Sequence, residues 1–144
     1  MASHPSSLTV IGRRKIIARE RRLNFRNAHI PAAHLEDARL FGADLDYADE
    51  LVGADLSGAF LNYAHLNGAV LLHARLNDAS LFGAHLNGAH PNGASLYDAD
   101  LSSAELDGSD LIGATVSQTQ LDQACGTDVT LDPGLTIKPC PTSP

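Results

Sequence analysis

The chain has 144 residues, a formal net charge of −7, 44% hydrophobic residues and two cysteines, which is the size of one domain. It contains no apolar stretch of about eighteen residues, so no transmembrane helix is expected. Met1-Ala2-Ser3-His4-Pro5 opens no apolar run of the kind a secretory signal needs, and on that start a cytoplasmic location is expected.

Residues 1–26 hold seven of the ten Lys and Arg (Arg13, Arg14, Lys15, Arg19, Arg21, Arg22, Arg26) against Glu20, a local charge of +6, whereas residues 27–144 hold three against sixteen acids, −13. Ile11, Ile16, Ile17 and Leu23, with Ala18 among them, suggest a short amphipathic segment. Residues 1–22 are therefore expected to form a basic cap whose apolar side plugs the first coil and whose charges face water. A nucleic-acid or anionic-lipid patch is the alternative for the same cluster; direct nucleic-acid binding is not expected.

From residue 23 to 125 a five-residue period takes over. Its centres are Phe25, Ile30, Leu35, Leu40 and Leu45, then Leu51 and every fifth residue to Leu121; sixteen of the twenty are Leu. The small residue ahead of each centre is Ala except at Leu23, Ser109 and Thr119. A period of five fits neither the 3.6 of a helix nor the 2 of a flat strand. It fits a square coil in which each unit forms one side, Leu and Ala point inward and a tight turn makes the corner. Coils stacked about 4.8 Å apart let backbone groups pair up and down the stack, and twenty units make about five coils, a prism roughly 24 Å tall.

Corner residues agree with this reading. Two after the centre stands Gly at positions 42, 53, 58, 68, 83, 88, 93, 108 and 113, with Asn27, Asp37, Asp78 and Asp98 in the same place. A type II turn needs φ > 0 there, which Gly supplies freely and Asn or Asp tolerates. Tyr47, Tyr63, His73, Gln118 and Gln123 occupy the slot elsewhere, so another turn type is expected at those corners. One extra residue between Leu45 and Leu51 is expected as a bulge on one side, and Pro91 at a centre removes one N–H from the ladder.

Residues 126–144 lose the period and are expected as an irregular C-terminal cap, with Pro133-Gly134 as a turn. Cys125 and Cys140 flank this tail. A disulfide between them would staple it, adding about 3 kcal/mol for a loop of this length; in a cytosolic protein both thiols would be free, so a bridge points to an extracytoplasmic setting.

Residues twenty apart stack in columns. Asp44, His65, His85 and Glu105 form one, a weak candidate for a transition metal since two imidazoles lie between carboxylates, although a flat side offers no pocket. His29, Asp49, Val70, His90 and Asp110 form a second, and Asn67 on Asn87, between Asp46 and Asp107, a third; such polar ladders satisfy one another along a stack. No phosphate-binding loop, nucleophile elbow or paired metal motif is present, so neither an enzyme nor a cofactor is expected. Outward apolar residues depart from the pattern: Phe41, Phe60 and Phe82 on one side, Val52, Val70, Leu72 and Ile112 on another. Clustered exposed apolar groups point to an interface with a partner or a second copy.

The units Ala43-Asp44-Leu45, Ala54-Asp55-Leu56-Ser57-Gly58 and Ala99-Asp100-Leu101 resemble the pentapeptide-repeat family. The resemblance implies an all-β fold, a right-handed quadrilateral parallel β-helix. For function it implies a non-catalytic scaffold docking a protein on flat outer faces. It implies, as an alternative, a mimic of duplex DNA that binds a type II topoisomerase such as DNA gyrase, a role with which the −13 of residues 27–144 is compatible. Against that alternative stand the short rod and the lack of a projecting loop.

Overall fold

The structure, a computed structural model, describes residues 23–29, 31–49 and 51–142; the expected basic cap over residues 1–22 lies outside them. Single parallel bridges, one per five-residue unit, replace long strands. They join Asn24 to Asp44, Asp44 to His65, His65 to His85, His85 to Glu105 and Glu105 to Cys125. Four such columns run along the molecule, so it is a four-sided parallel β-helix. We name its sides the histidine face, the valine face (Val70 and His90), the Arg75 face (Asp55, Arg75 and Ser95) and the phenylalanine face (Arg39, Phe60, Ser80 and Asp100). The extra residue before Leu51 lengthens the spacing to 21 for the pairs His34–Asp55, Arg39–Phe60 and Asp44–His65, after which it returns to 20 with the ladder unbroken.

The fate of the N–H groups explains the repeat. In the unit centred on Leu66, the Leu66 N–H donates to the His85 carbonyl (2.7 Å), Gly68 to Asn87 (2.9 Å) and Val70 back to Ala48 (3.1 Å), while Ala69 closes the turn onto Leu66 (3.1 Å). The N–H just after the centre has no backbone acceptor in this unit, and at several units a side chain supplies one. In one solution the residue before the centre reaches over: Asp44 Oδ1 accepts from the Asp46 N–H at 3.1 Å, Asp55 Oδ1 from Ser57 at 3.1 Å, and Asp100 Oδ1 from Ser102 at 2.9 Å. This local Asx bond is the reason Ala-Asp-Leu recurs.

Inside, the centre leucines from Leu35 to Leu111 are at most 2% exposed and alanines fill the space between them. Each buried Leu contributes roughly 1.5–3 kcal/mol, and Leu and Ala together occupy the interior of the described coils.

The corners at Tyr47, Tyr63 and His73 do not adopt another turn type. Their φ values are +55°, +57° and +55°, in the same left-handed region as the glycines. The square coil imposes this conformation whatever the side chain, at about 1–2 kcal/mol per non-Gly residue. Compensation comes from the next coil, where a glycine stands: a Cβ on Gly68 would meet the Tyr47 ring at 2.6 Å, one on Gly83 the Tyr63 ring at 2.7 Å, and one on Gly93 the His73 ring at 2.6 Å. Each ring occupies the space that a Cβ on the coil above would need.

Gln118 and Gln123 do leave the turn pattern. They bound a short helix, α1 (Gln118–Gln123), started by a capping box between Ser117 and Gln120, while Leu121 stays buried and keeps its place in the core. The Gln120 side-chain amide donates to the carbonyls of Leu96 (2.6 Å) and Ala99 (2.9 Å). Backbone pairing runs on to Thr130, bridged to Asp110. Val129, Leu131, Leu135 and Ile137 pack on the end of the core, and the Gly126 N–H donates to Lys138 (2.8 Å). The Cys125 and Cys140 sulfurs stand at disulfide distance, 1.98 Å. Among the described residues no helix is long and apolar enough to cross a membrane.

Candidate functional site

Because Leu and Ala occupy the interior of the repeats, chemistry and recognition there fall to the outward side chains. On the histidine face the expected column is real: His65 and His85 rings lie 5.0 Å apart, tilted by 33°, and His85 Nδ1 meets Glu105 Oε2 at 2.8 Å. Asp44 instead faces Arg26, 3.9 Å away. Among the described residues no three His, Cys, Asp or Glu side chains converge on a point where a metal ion would sit. What the column offers is one imidazole–carboxylate pair on an open surface.

Beside it the Asp46–Asn67–Asn87–Asp107 column closes on itself. Asp46 Oδ1 accepts from the Asn67 N–H (2.8 Å), Asn67 Oδ1 from Asn87 (3.1 Å), Asn87 Oδ1 from Asp107 (2.9 Å) and Asp107 Oδ1 from Thr127 (2.7 Å). This is the second solution to the orphan N–H, supplied by the coil below. Arg26 caps the ladder at Asp46, 3.2 Å away, and lies 5.1 Å over the Tyr47 ring.

The valine face brings Val52, Leu72 and Ile112 into one column, interrupted by Asn92, with Val70 beside it. Ile112 is 42% exposed; Val52, Val70 and Leu72 are half-buried. Asp110, on the same face, has its carboxyl held below the usual carboxylate range by the Asn92 side chain, the Ile112 N–H and the nearby His90, against a smaller opposing effect of burial.

The phenylalanine face carries a strip of aromatic rings. Phe41 and Phe60 stack at 5.8 Å, and Tyr63 meets Phe82 edge-on at 5.5 Å. Phe41 and Tyr63 are each 57% exposed and Phe60 42%, while Phe82 is half-buried. Tyr63 is thus part of this strip, a residue that sequence reasoning treated only as an awkward corner. Its position two after Leu61, one coil from Phe41 and Phe82, was the available signal. Between the rings Asn62 donates to Ser80 Oγ at 2.7 Å.

Among the described residues three concavities arise at the C-terminal end, two of them beside α1 or the cysteine pair. An open one of about 470 Å³ lies beside α1, lined by Tyr97, Asp100, Val116 and Gln120 among others. A second, of about 330 Å³, has Cys125, Cys140, Glu105 and Lys138 in its wall. Neither follows from the five-residue period, since both exist only because α1 and the tail replace regular units.

Comparison with known proteins matches this geometry. The family model described as Pentapeptide repeats matches in 8 copies, over residues 21–49, 50–88, 74–111 and 92–125. Among solved structures, the pentapeptide repeat protein Rfr23 from the cyanobacterium Cyanothece 51142 is 27% identical, with a TM-score of 0.53 over 81% of this chain and 82% of that one. Trypsin-treated QnrB1, a plasmid-mediated fluoroquinolone resistance protein, is 22% identical, with a TM-score of 0.53 over 76% of this chain. The chain spans 58% of that QnrB1 chain, and at this identity the likeness concerns the fold. No curated protein sequence matches significantly.

Proposed function

Since the chain belongs to the pentapeptide-repeat family, we propose that it is a non-enzymatic scaffold that docks a protein partner on a flat outer face. In this reading it is a right-handed quadrilateral β-helix of about five coils over residues 23–125, with residues 1–22 and 126–144 as caps. The observation that carries it is the strip of exposed rings, Phe41, Phe60 and Tyr63 with Phe82, on one face. Exposed aromatic groups held on a rigid surface are the usual anchors of protein interfaces. The valine face, with Val52, Leu72 and Ile112, is the subsidiary candidate.

The test is capture of a partner from host extract on the wild type, on a Phe41→Ser/Phe60→Ser variant and on Leu72→Ser, repeated with the purified partner. Loss of binding in the first variant alone supports the phenylalanine face. Equal binding by all three overturns it.

The charge of −13 over residues 27–144 favours the second reading, a DNA mimic acting on a type II topoisomerase. A supercoiling assay with purified DNA gyrase separates the two: inhibition at micromolar protein supports mimicry, and full activity removes it. A bridge between Cys125 and Cys140 is proposed as a staple for the C-terminal cap. Mass spectrometry after non-reducing alkylation in the native host reads it out, and a bridged pair points to an oxidising compartment.

A further inference from the structure

We propose that the phenylalanine face pairs with the same face of a second copy, related by a two-fold axis that runs across the face between the Leu61 and Leu81 levels. This rests on the reading of that face as the docking surface and names its occupant.

The argument comes from the order of side chains along two columns. Backbone pairing stacks Arg39, Phe60, Ser80 and Asp100 in one, and Phe41, Asn62, Phe82 and Ser102 in the other. A two-fold axis lying in the plane of contact, perpendicular to the stack, places each column opposite itself and reverses its order. Arg39 then faces Asp100 of the second copy, and Phe60 faces Ser80. In the other column Phe41 faces Ser102, and Asn62 faces Phe82. Every ring meets a smaller polar residue and the only cation in the two columns meets the only carboxylate, twice over. Arg39 and Asp100 are both exposed at opposite ends of the strip, so the two ion pairs flank an aromatic centre, the arrangement expected of an isologous interface.

The opposite docking, with the axis along the stack, brings Arg39 against Phe41 and leaves Asp100 against Ser102. Phe60 and Phe82 again meet the smaller Asn62 and Ser80 there, but the charge match is lost. Antiparallel pairing is therefore selected by the sequence order itself. The flat area is small, roughly 300 Å² per copy from four levels of five residues, below the ~800 Å² per partner of a standard interface. Association is accordingly expected to be micromolar or weaker and in rapid exchange.

Sedimentation equilibrium of the full chain from roughly 10 µM to 1 mM tests this. A monomer–dimer equilibrium is expected, weakened about tenfold or more by Arg39→Glu or Asp100→Arg alone and restored by the two together, since charges in an interface set pairing through such swaps. Phe60→Ser should abolish the dimer, while thermal unfolding of Phe60→Ser and Arg39→Glu stays near that of the wild type because those side chains are exposed; Asp100→Arg also removes the acceptor of the Ser102 N–H and should unfold at a somewhat lower temperature. A monomer at every concentration, a dimer indifferent to Arg39→Glu, or a double variant no better than the singles overturns self-pairing. If partner capture still depends on Phe41 and Phe60 in that case, the docking face survives and only its occupant changes. If capture is indifferent too, both fail.

Discussion

The histidine face and the phenylalanine face rest on equivalent columns of buried leucine, yet they treat their outward positions in opposite ways. On the first, Asp46, Asn67, Asn87 and Asp107 each accept the otherwise unpaired N–H of the next coil, so the polar groups are satisfied within the molecule. On the second, the local Asp100–Ser102 bond and the Asn62–Ser80 bond are the polar side-chain contacts, and the rings around them face water. A face that satisfies itself contributes to folding. A face whose apolar groups remain uncovered is available for recognition.

The comparison is tested most severely at the shared core. Leu66→Ala beneath the histidine face and Leu81→Ala beneath the phenylalanine face should each cost about 3 kcal/mol, since both side chains are wholly buried and the square section cannot collapse around the cavity. Equal losses in chemical denaturation would show that both faces share one support; a loss confined to one would show that the outward side chains, not the core, set local stability.

Corners give the next effect. Gly68→Ala and Gly88→Ala occupy the same column with nearly the same φ, +66° and +67°, but a Cβ at Gly68 meets the Tyr47 ring whereas nothing lies within 4 Å of one at Gly88. Both should lose about 1 kcal/mol from the left-handed backbone, and Gly68→Ala should lose more, with Tyr47→Ala removing the difference. Unequal losses that persist in the Tyr47→Ala background would refute the ring-on-glycine account.

Those corners also show what the sequence made legible. The period of five identified the buried positions, the columns and the outward aromatic residues, because side-chain direction in a square coil follows from register alone. It did not reveal that Tyr47, Tyr63 and His73 adopt the glycine conformation, since residue preference argues against it and tertiary stacking overrides preference. The helix α1 was hidden for another reason: Ser117 and Gln120 carry a capping-box signal, but Leu121 continued the five-residue beat across it. At the candidate site the column Asp44–His65–His85–Glu105 was readable, whereas the turning of Asp44 toward Arg26 depends on side-chain rotamers that no periodicity encodes. The place of Tyr63 beside the phenylalanine strip was legible from register, whereas the edge-on contact of its ring with Phe82 depends on rotamers in the same way.

The self-satisfied ladder makes a smaller, directional prediction. Asn87→Ala removes the acceptor of the Asp107 N–H and the donor to Glu105 Oε2 and should cost about 1 kcal/mol, whereas Asn87→Asp keeps the acceptor but sets a second carboxylate against Glu105 and should recover only part of it. On the phenylalanine face Phe41→Ser should leave stability nearly unchanged, because its ring is more than half exposed. A Phe41→Ser loss as large as that of Asn87→Ala would mean the strip serves the fold, and the contrast between the two faces would disappear.

The smallest effect lies at Asp110 on the valine face, an intermediate case in which a carboxylate serves its own turn beside an exposed Ile112. Its folded pKa is depressed, chiefly by Asn92 and then by the Ile112 N–H, 3.1 Å from Oδ1, with His90 adding to both. A depressed carboxylate stabilises the fold fully above its unfolded pKa, about 3.9, and that contribution disappears as pH falls from there through the lower folded value. Asp110→Asn keeps an oxygen for the Ile112 N–H but cannot titrate. The stability difference between wild type and Asp110→Asn should therefore be constant from neutral pH down to about pH 5 and shrink below about pH 4. A difference that stays constant into acid would show that Asn92 and Ile112 hold the carboxyl no more tightly than water does, and that the valine face does not satisfy its polar groups as the histidine face does.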